Sequence, residues 1–301
     1  MNVVSRIDEL DPASRAVAIG TFDGVHLGHR AVIDEARVPG LRQTVVTFDP
    51  HPRFTLGKRV EMLATVERRL ELLDELGVDE VVVLHFDEAL AALDAEAFAE
   101  SVFRGAGAQV VTAGVDFVFG HGRRGNLDLL ADLGFEVRRV PLVEGVSSTR
   151  IRSLLAAGQV SEAAALLGRP AEIEGIVELG DQRGGTLGFP TANLAVQENL
   201  LVPMHGIYAG SALGHRAAVS IGMNPHYGGT ERRIEAFLLD YEGDLYGQEL
   251  VVELWERLRD EAVFESEAAL IAAIASDVER TRAARRPDPG RFLKSLGDPG
   301  V

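Results

Sequence analysis

Two histidines, His26 and His29, stand inside the run Gly20-Thr21-Phe22-Asp23-Gly24-Val25-His26-Leu27-Gly28-His29. At that spacing a helical turn puts both imidazoles on one face. The surrounding glycines remove side-chain bulk, so a phosphate can approach backbone N–H groups and the positive end of a helix. No covalent nucleophile accompanies them. The chemistry such a site suits is in-line attack of one phosphate on the α-phosphorus of ATP, with the imidazoles stabilising charge on the phosphates. A second glycine-rich run is Gly180-Asp181-Gln182-Arg183-Gly184-Gly185-Thr186-Leu187-Gly188-Phe189-Pro190-Thr191-Ala192-Asn193. Its start can form a flap whose N–H groups face phosphates. It is not a P-loop, because the Gly-Lys-Ser/Thr ending is missing. Thr191 and Asn193 offer hydroxyl and amide oxygens, both acceptable to Mg²⁺ beside ATP phosphates. Glu235 lies in the run Ile234-Glu235-Ala236-Phe237-Leu238-Leu239-Asp240, which reads as a largely buried strand. An acid there needs a reason, and accepting a proton from a substrate hydroxyl is one.

The elements that must carry these groups differ along the chain. Residues 16–20, 43–48, 78–86, 109–113 and 135–141 read as buried strands, short, rich in Val and Phe, and bounded by Gly, Pro or Asp. Between them, residues 65–76 place Val66, Leu70, Leu73 and Leu76 at helical spacing, and residues 86–104 do the same with Ala89, Leu93, Ala97 and Val102. Strand–helix alternation implies parallel βαβ units and a doubly wound α/β domain whose ligands sit at the carboxyl ends of the strands. Residues 148–157 and 160–167 read as two short helices. From 171 to 254 the texture is short β-like runs (172–179, 207–209, 217–221, 234–239, 249–254) between Gly, Asn, Pro and Asp, as in a small antiparallel barrel or sandwich. Residues 266–285 read as a closing amphipathic helix with Leu270, Ile271, Ile274 and Val278 on one face. The expected boundary is Arg169–Pro170, giving domains of 1–169 and 170–301.

Composition narrows the function classes. The chain has 301 residues, 46% hydrophobic and 25% charged, enough for two cores. It has no cysteine, which excludes disulfides and cysteine-ligated metal and fits a reducing cytoplasm. No apolar run approaches the roughly 20 residues of a membrane-spanning helix, and the acidic first residues do not read as a signal peptide. A net charge of −16 repels polyanions such as DNA, yet a local pocket can still take a small anion such as ATP.

Further motifs follow the strands. They are Thr47-Phe48-Asp49-Pro50-His51-Pro52, Gly114-Val115-Asp116-Phe117-Val118-Phe119-Gly120-His121-Gly122-Arg123-Arg124-Gly125-Asn126, and Val146-Ser147-Ser148-Thr149-Arg150-Ile151-Arg152. Ser147 or Ser148 can cap the next helix, and Arg152, one turn further in, could clamp a triphosphate. Downstream come Ile221-Gly222-Met223-Asn224-Pro225, Glu235, and Leu239-Asp240-Tyr241-Glu242-Gly243-Asp244-Leu245-Tyr246-Gly247.

Taken together, these segments resemble the bacterial bifunctional riboflavin kinase/FAD synthetases over about residues 16–284. The resemblance implies an N-terminal Rossmann-like HxGH nucleotidyltransferase domain and a C-terminal six-stranded antiparallel β-barrel with a closing helix. It implies two ATP- and Mg²⁺-dependent reactions: riboflavin to FMN in the barrel, and FMN to FAD in the first domain. Asp23, His26, His29, Asn126, Ser148, Thr149 and Arg152 would then handle ATP and FMN, with Gly20, Phe22, Gly24, Asp49 and Asp116 as further contacts. In the barrel Glu235 would be the general base for the ribityl 5′-hydroxyl. Thr191 and Asn193 would sit on MgATP, and Gly180, Arg183, Gly188, Pro190 and Asn224 would contact nucleotide or flavin. The chain departs from the family at Gly185, where a basic residue is common, at His226, where Thr is common, and at Phe237, often His. Two rival readings stay open: an enzyme with one working site, and a non-catalytic flavin-binding sensor.

Overall fold

The structure is a computed structural model that describes residues 1–179, 189–224 and 231–288. It divides into two compact units, Met1–Ser148 and Thr149–Val301. The first is built on strands β1 (Asn2–Val4), β2 (Arg15–Ile19), β3 (Arg42–Asp49), β4 (Glu80–His85), β5 (Ala108–Gly114) and β6 (Glu136–Val140). They pair in parallel in the order β1-β4-β3-β2-β5-β6. Alternate residues serve the two faces. Val17 and Ile19 of β2 join one core with Phe98, Val102 and Phe103, while Ala16 and Ala18 join another with Ile33, Leu72 and Leu73. Both faces are covered, as the doubly wound expectation requires.

Helix α1 (Leu27–Glu35) follows β2, α2 (Pro52–Thr55) follows β3, and α3 (Val66–Glu75) leads into β4. The expected helix over 86–104 is instead broken. Helix α4 (Glu88–Ala92) ends at Leu93 (φ −61°, ψ 132°), and Asp94 caps a new start, α5 (Ala95–Phe98), which runs on into a π-turn over Ala99–Arg104. The Asp94 side chain accepts from Ala97 N–H at 2.7 Å, and the Leu93 carbonyl accepts from His121 N–H at 2.7 Å. The break thus gives its backbone groups to a cap and to the loop after β5. Helix α6 (Leu127–Asp132) completes this unit.

The amino ends of these strands carry a buried ionic knot. Arg15 and Glu80, the first residues of β2 and β4, are both 2% exposed. Arg15 Nε donates to Glu80 Oε2 at 2.7 Å, Arg42 Nη1 to Oε1 at 2.6 Å, and Thr44 Oγ1 to Oε2 at 2.9 Å. Burial disfavours the Glu80 charge, but these hydrogen bonds outweigh it and hold the carboxyl below its usual range. A folded-state pKa below the unfolded value of about 4.3 means stability that is present above that value. It is lost as pH falls through the folded one. Glu80→Gln leaves Arg15 buried with a neutral partner and is expected to cost about 3 kcal/mol at pH 7. The deficit should shrink towards acid, which urea melts of parent and variant across that range would measure. Coincident melts at pH 7 would contradict it.

The second unit begins with most of helix α7 (Ser148–Ala156) and helix α8 (Val160–Leu167), closed by Gly168 in the left-handed region. Strands β7 (Ala171–Glu178), β8 (Ala192–Ala195), β9 (Gly206–Ala212), β10 (His215–Asn224), β11 (Glu231–Leu238) and β12 (Glu249–Arg259) form a closed barrel in the order β10-β11-β8-β7-β12-β9, antiparallel throughout. The short strand β8 was not expected from its sequence. The run around Glu235 is not buried on both sides: Ile234, Ala236 and Leu238 are buried, while Glu235 and Phe237 are half-buried on the opposite face. This is the period-two pattern of a strand with one covered face.

The closing helix expected over 266–285 is α9 (Glu267–Ala283), capped by Ser266. Its buried residues are Asp277 and Thr281, whereas Ile271 is exposed and Leu270, Ile274 and Val278 are half-buried. Polar bonds account for this face. Arg259 Nη2 of β12 reaches Asp277 Oδ2 at 2.7 Å, and Arg216 Nη1 of β10 donates to the Thr281 carbonyl at 2.8 Å.

Candidate functional site

The first candidate site forms where β2 ends. Gly20 leaves the strand, and the chain turns through Phe22 (φ 47°), Gly24 (φ 79°) and Val25 (φ 38°), with Val25 N–H donating to the Phe22 carbonyl at 3.0 Å. Gly24 is required here twice over. Its φ is left-handed, and a Cβ would lie 2.8 Å from Leu63 Cδ1. Asp23, expected to face the nucleotide, is 1% exposed, and its Oδ1 accepts from Leu63 N–H at 2.8 Å. It braces the turn from inside.

His26 then caps α1, its Nδ1 accepting from His29 N–H at 3.2 Å. The two imidazoles are stacked, with centroids 3.5 Å apart and planes at 17°. His29 also meets Phe22 edge-on at 5.4 Å. The pair therefore gathers at the N-terminal end of α1, beside the carboxyl end of β2, where the helix dipole favours an anion.

Beneath this turn lies Arg69 of α3, a residue to which the sequence reading gave no role. It is 2% exposed. Its Nη1 donates to the Thr21 carbonyl at 2.6 Å and its Nη2 to the Phe48 carbonyl at 3.2 Å. Burial pulls its guanidinium below the ordinary range, against the fields of Asp23, Asp49 and Glu67. One side chain thus ties the HxGH turn to the end of β3. Its place beside the apolar stripe Val66, Leu73 and Leu76 is the sequence signal that separates it from Arg68, which pairs with Glu71 and Glu75.

The other expected residues of this unit are distributed around the carboxyl ends of the strands. Asp49 ends β3 and is exposed, as is Asp116 after β5. Asn126 caps α6, its Oδ1 accepting from Asp128 and Leu129 N–H, each at 3.0 Å. The loop before it is a tight hairpin: Phe119 and Gly125 exchange backbone hydrogen bonds at 3.0 and 2.9 Å, and Phe119 packs on Phe98 and Phe103. Arg123 and Arg124 stay exposed at its tip. Ser148 Oγ donates to the Asp23 carbonyl at 3.4 Å, which brings the start of α7 to the turn. Thr149 and Arg152 follow on α7 in the second unit, exposed and half-buried respectively.

The second candidate site lies on the barrel. Glu235 of β11 sits directly opposite Asn193 of β8 and opposite Ser220 of β10. Thr191 and Asn193 are half-buried, Pro190 is exposed, and Phe189 meets Phe237 edge-on at 5.5 Å. Phe237, a departure from the family pattern, is thus part of an aromatic pair at the strand that carries the acid. Gly180, Arg183, Gly185, Gly188 and His226 lie outside the described residues, as does the Asn224 side chain. Among the described residues no group of three or more His, Cys, Asp or Glu side chains could hold a metal. No described helix is long and apolar enough to cross a membrane.

Two family models match the chain in sequence order: FAD synthetase over residues 8–154 and riboflavin kinase over residues 167–285. The bifunctional riboflavin kinase/FMN adenylyltransferase of Listeria monocytogenes is 36% identical over 92% of this chain and 94% of its own. That of Escherichia coli K12 is 35% identical over 92% and 96%. The chain belongs to the bifunctional riboflavin kinase/FMN adenylyltransferase family. A solved structure from Streptococcus pneumoniae, described as a macrolide-efflux protein, is 32% identical with a TM-score of 0.84 and covers 93% of this chain and 98% of that one. As a riboflavin kinase/FMN adenylyltransferase, the protein phosphorylates riboflavin with ATP to FMN in its C-terminal domain. Its N-terminal domain adenylylates FMN with a second ATP to FAD, releasing pyrophosphate.

Proposed function

We propose that the two chemistries divide between the two groups of residues just described. For FMN formation, Glu235 accepts the proton of the ribityl 5′-hydroxyl as its oxygen attacks the γ-phosphorus of ATP, and ADP leaves. The cross-strand pairing of Glu235 with Asn193 is the observation that carries this reading, because it sets a proton acceptor beside a phosphate-side ligand. Thr191 and Asn193 would hold Mg²⁺, which prefers hard oxygen donors and keeps several sites for water and phosphate. Bound there with ATP, the metal neutralises polyphosphate charge. The Gly180–Gly188 run, Pro190 and Asn224 are assigned to nucleotide and flavin contact.

For FAD formation, a phosphate oxygen of FMN attacks the α-phosphorus of ATP and pyrophosphate leaves. His26 and His29 stabilise charge on the phosphates, assisted by the amino end of α1. Gly20, Phe22 and Gly24 shape the turn, and Asp23 and Arg69 brace it. Asp49, Asp116, Asn126, Ser148, Thr149 and Arg152 are assigned to nucleotide or flavin contact. The functional boundary is drawn at Arg169–Pro170, close to the start of the riboflavin kinase match at residue 167. The net charge of −16 disfavours a nucleic-acid partner, and a pathway that consumes ATP twice favours a cytoplasmic setting.

Metal removal tests the Mg²⁺ requirement on which the roles of Thr191 and Asn193 depend. Riboflavin and ATP with Mg²⁺ are expected to yield FMN and then FAD on a chromatogram, and neither in excess chelator. FMN that still accumulates in chelator would rule the metal role out.

A further inference from the structure

Arg233 is a residue that neither motif of the barrel includes. It lies two positions before Glu235 on β11, so both side chains project from the same face of the strand. Its Nε lies 3.0 Å from Glu235 Oε1 and donates to Asn193 Oδ1 at 3.4 Å. One N–H thus addresses both the acid and the amide of the kinase site. Both charged side chains are about 30% exposed, at 29% for Arg233 and 30% for Glu235. The pair lines a small polar cavity of about 110 Å³ with Ser220, Gly222, Met223 and Glu261. Glu261 closes against Gly222: a Cβ there would lie 1.9 Å from Glu261 Oε1, so a larger residue would displace this carboxylate. A second carboxylate, Glu261, therefore shares the lining of this cavity with Glu235.

From this geometry we infer that Arg233 is a positioning residue for riboflavin phosphorylation. It holds the Glu235 carboxylate and the Asn193 amide in one arrangement, acting through them rather than on the substrate. An amide oxygen has two lone pairs, so one bond from Arg233 leaves Asn193 a second acceptor site for the phosphate-side cation. Holding the acid within hydrogen-bond reach of the attacking hydroxyl is the step in which a general base most depends on its neighbours. A half-exposed ion pair with no such role would contribute little to stability and nothing to turnover. The inference rests on Glu235 as the base.

The test measures FMN formation in the full chain, with FAD formation from supplied FMN as the internal control. Arg233→Met is expected to lower kinase kcat about tenfold, with both KM values within about twofold and the control unchanged. Arg233→Lys should restore most of the loss, and Arg233→Gln, a milder change should Met not fold, should lose at least about fivefold. In a Glu235→Gln background, Arg233→Met should cost no more than about twofold further, because the group it positions is gone. Parental kcat in both Arg233→Met and Arg233→Gln, or a full tenfold loss on top of Glu235→Gln, overturns the proposal. If Glu235→Gln alone keeps parental kcat, the assignment of the base fails, and the positioning role falls with it.

Discussion

His29→Ala is expected to lower FAD formation from FMN and ATP by about 10²- to 10³-fold, the range seen when one preorganised donor to developing charge is removed. FMN formation from riboflavin should keep its parental rate. The structure makes His29 the cleaner of the two imidazoles to remove. His26 Nδ1 accepts from the backbone N–H of residue 29, which alanine retains, so the cap of α1 survives. His26→Ala would remove that cap as well, at about 1 kcal/mol. What His29→Ala loses is a ring stacked on His26 at 3.5 Å and edge-on to Phe22 at 5.4 Å. Single-turnover FAD formation at saturating FMN and ATP is the measurement. A loss of less than about threefold would remove the imidazole from the chemistry.

Glu235→Gln should do the reverse. FMN formation is expected to fall by about 10²- to 10⁴-fold, the contribution of a general base, while FAD formation from supplied FMN stays within error. The substitution keeps shape and the cross-strand places opposite Asn193 and Ser220. The ion pair to Arg233 is lost, but at about 30% exposure it contributes on the order of 1 kcal/mol or less, so the barrel should fold. Together the two variants test whether each domain carries its own working site. If either abolished both reactions, the division of labour would be wrong.

Much of this was legible in the chain because the signals were local. Strand β2, the glycine-rich turn and α1 follow from a buried apolar run meeting residues that only a turn accepts. The helices expected to begin at residues 65 and 266 do begin there, with Thr65 and Ser266 as their caps. Less legible were features set by distant neighbours. Strand β1 is short and largely exposed, and it exists because Val81 and Val82 of β4 offer an edge. The break at Leu93 depends on His121, and the buried face of α9 on Arg259 and Arg216. The roles of Arg69 and Arg233 depend on partners from other elements: Thr21 and Phe48 for the one, Asn193 for the other. No periodicity within a single segment reports such a bond.

The turn that carries the histidines has a cost written into it. Phe22 and Val25 hold left-handed backbone angles that L-residues avoid by roughly 1–2 kcal/mol each, and both side chains are buried, at 1% and 0% exposure. A free peptide of this sequence would relax out of that shape. The packed domain compels it, so the shape of the turn that carries the histidines is set by tertiary structure. When the packing around Phe22 and Val25 loosens, adenylylation should fade before the sheet itself melts.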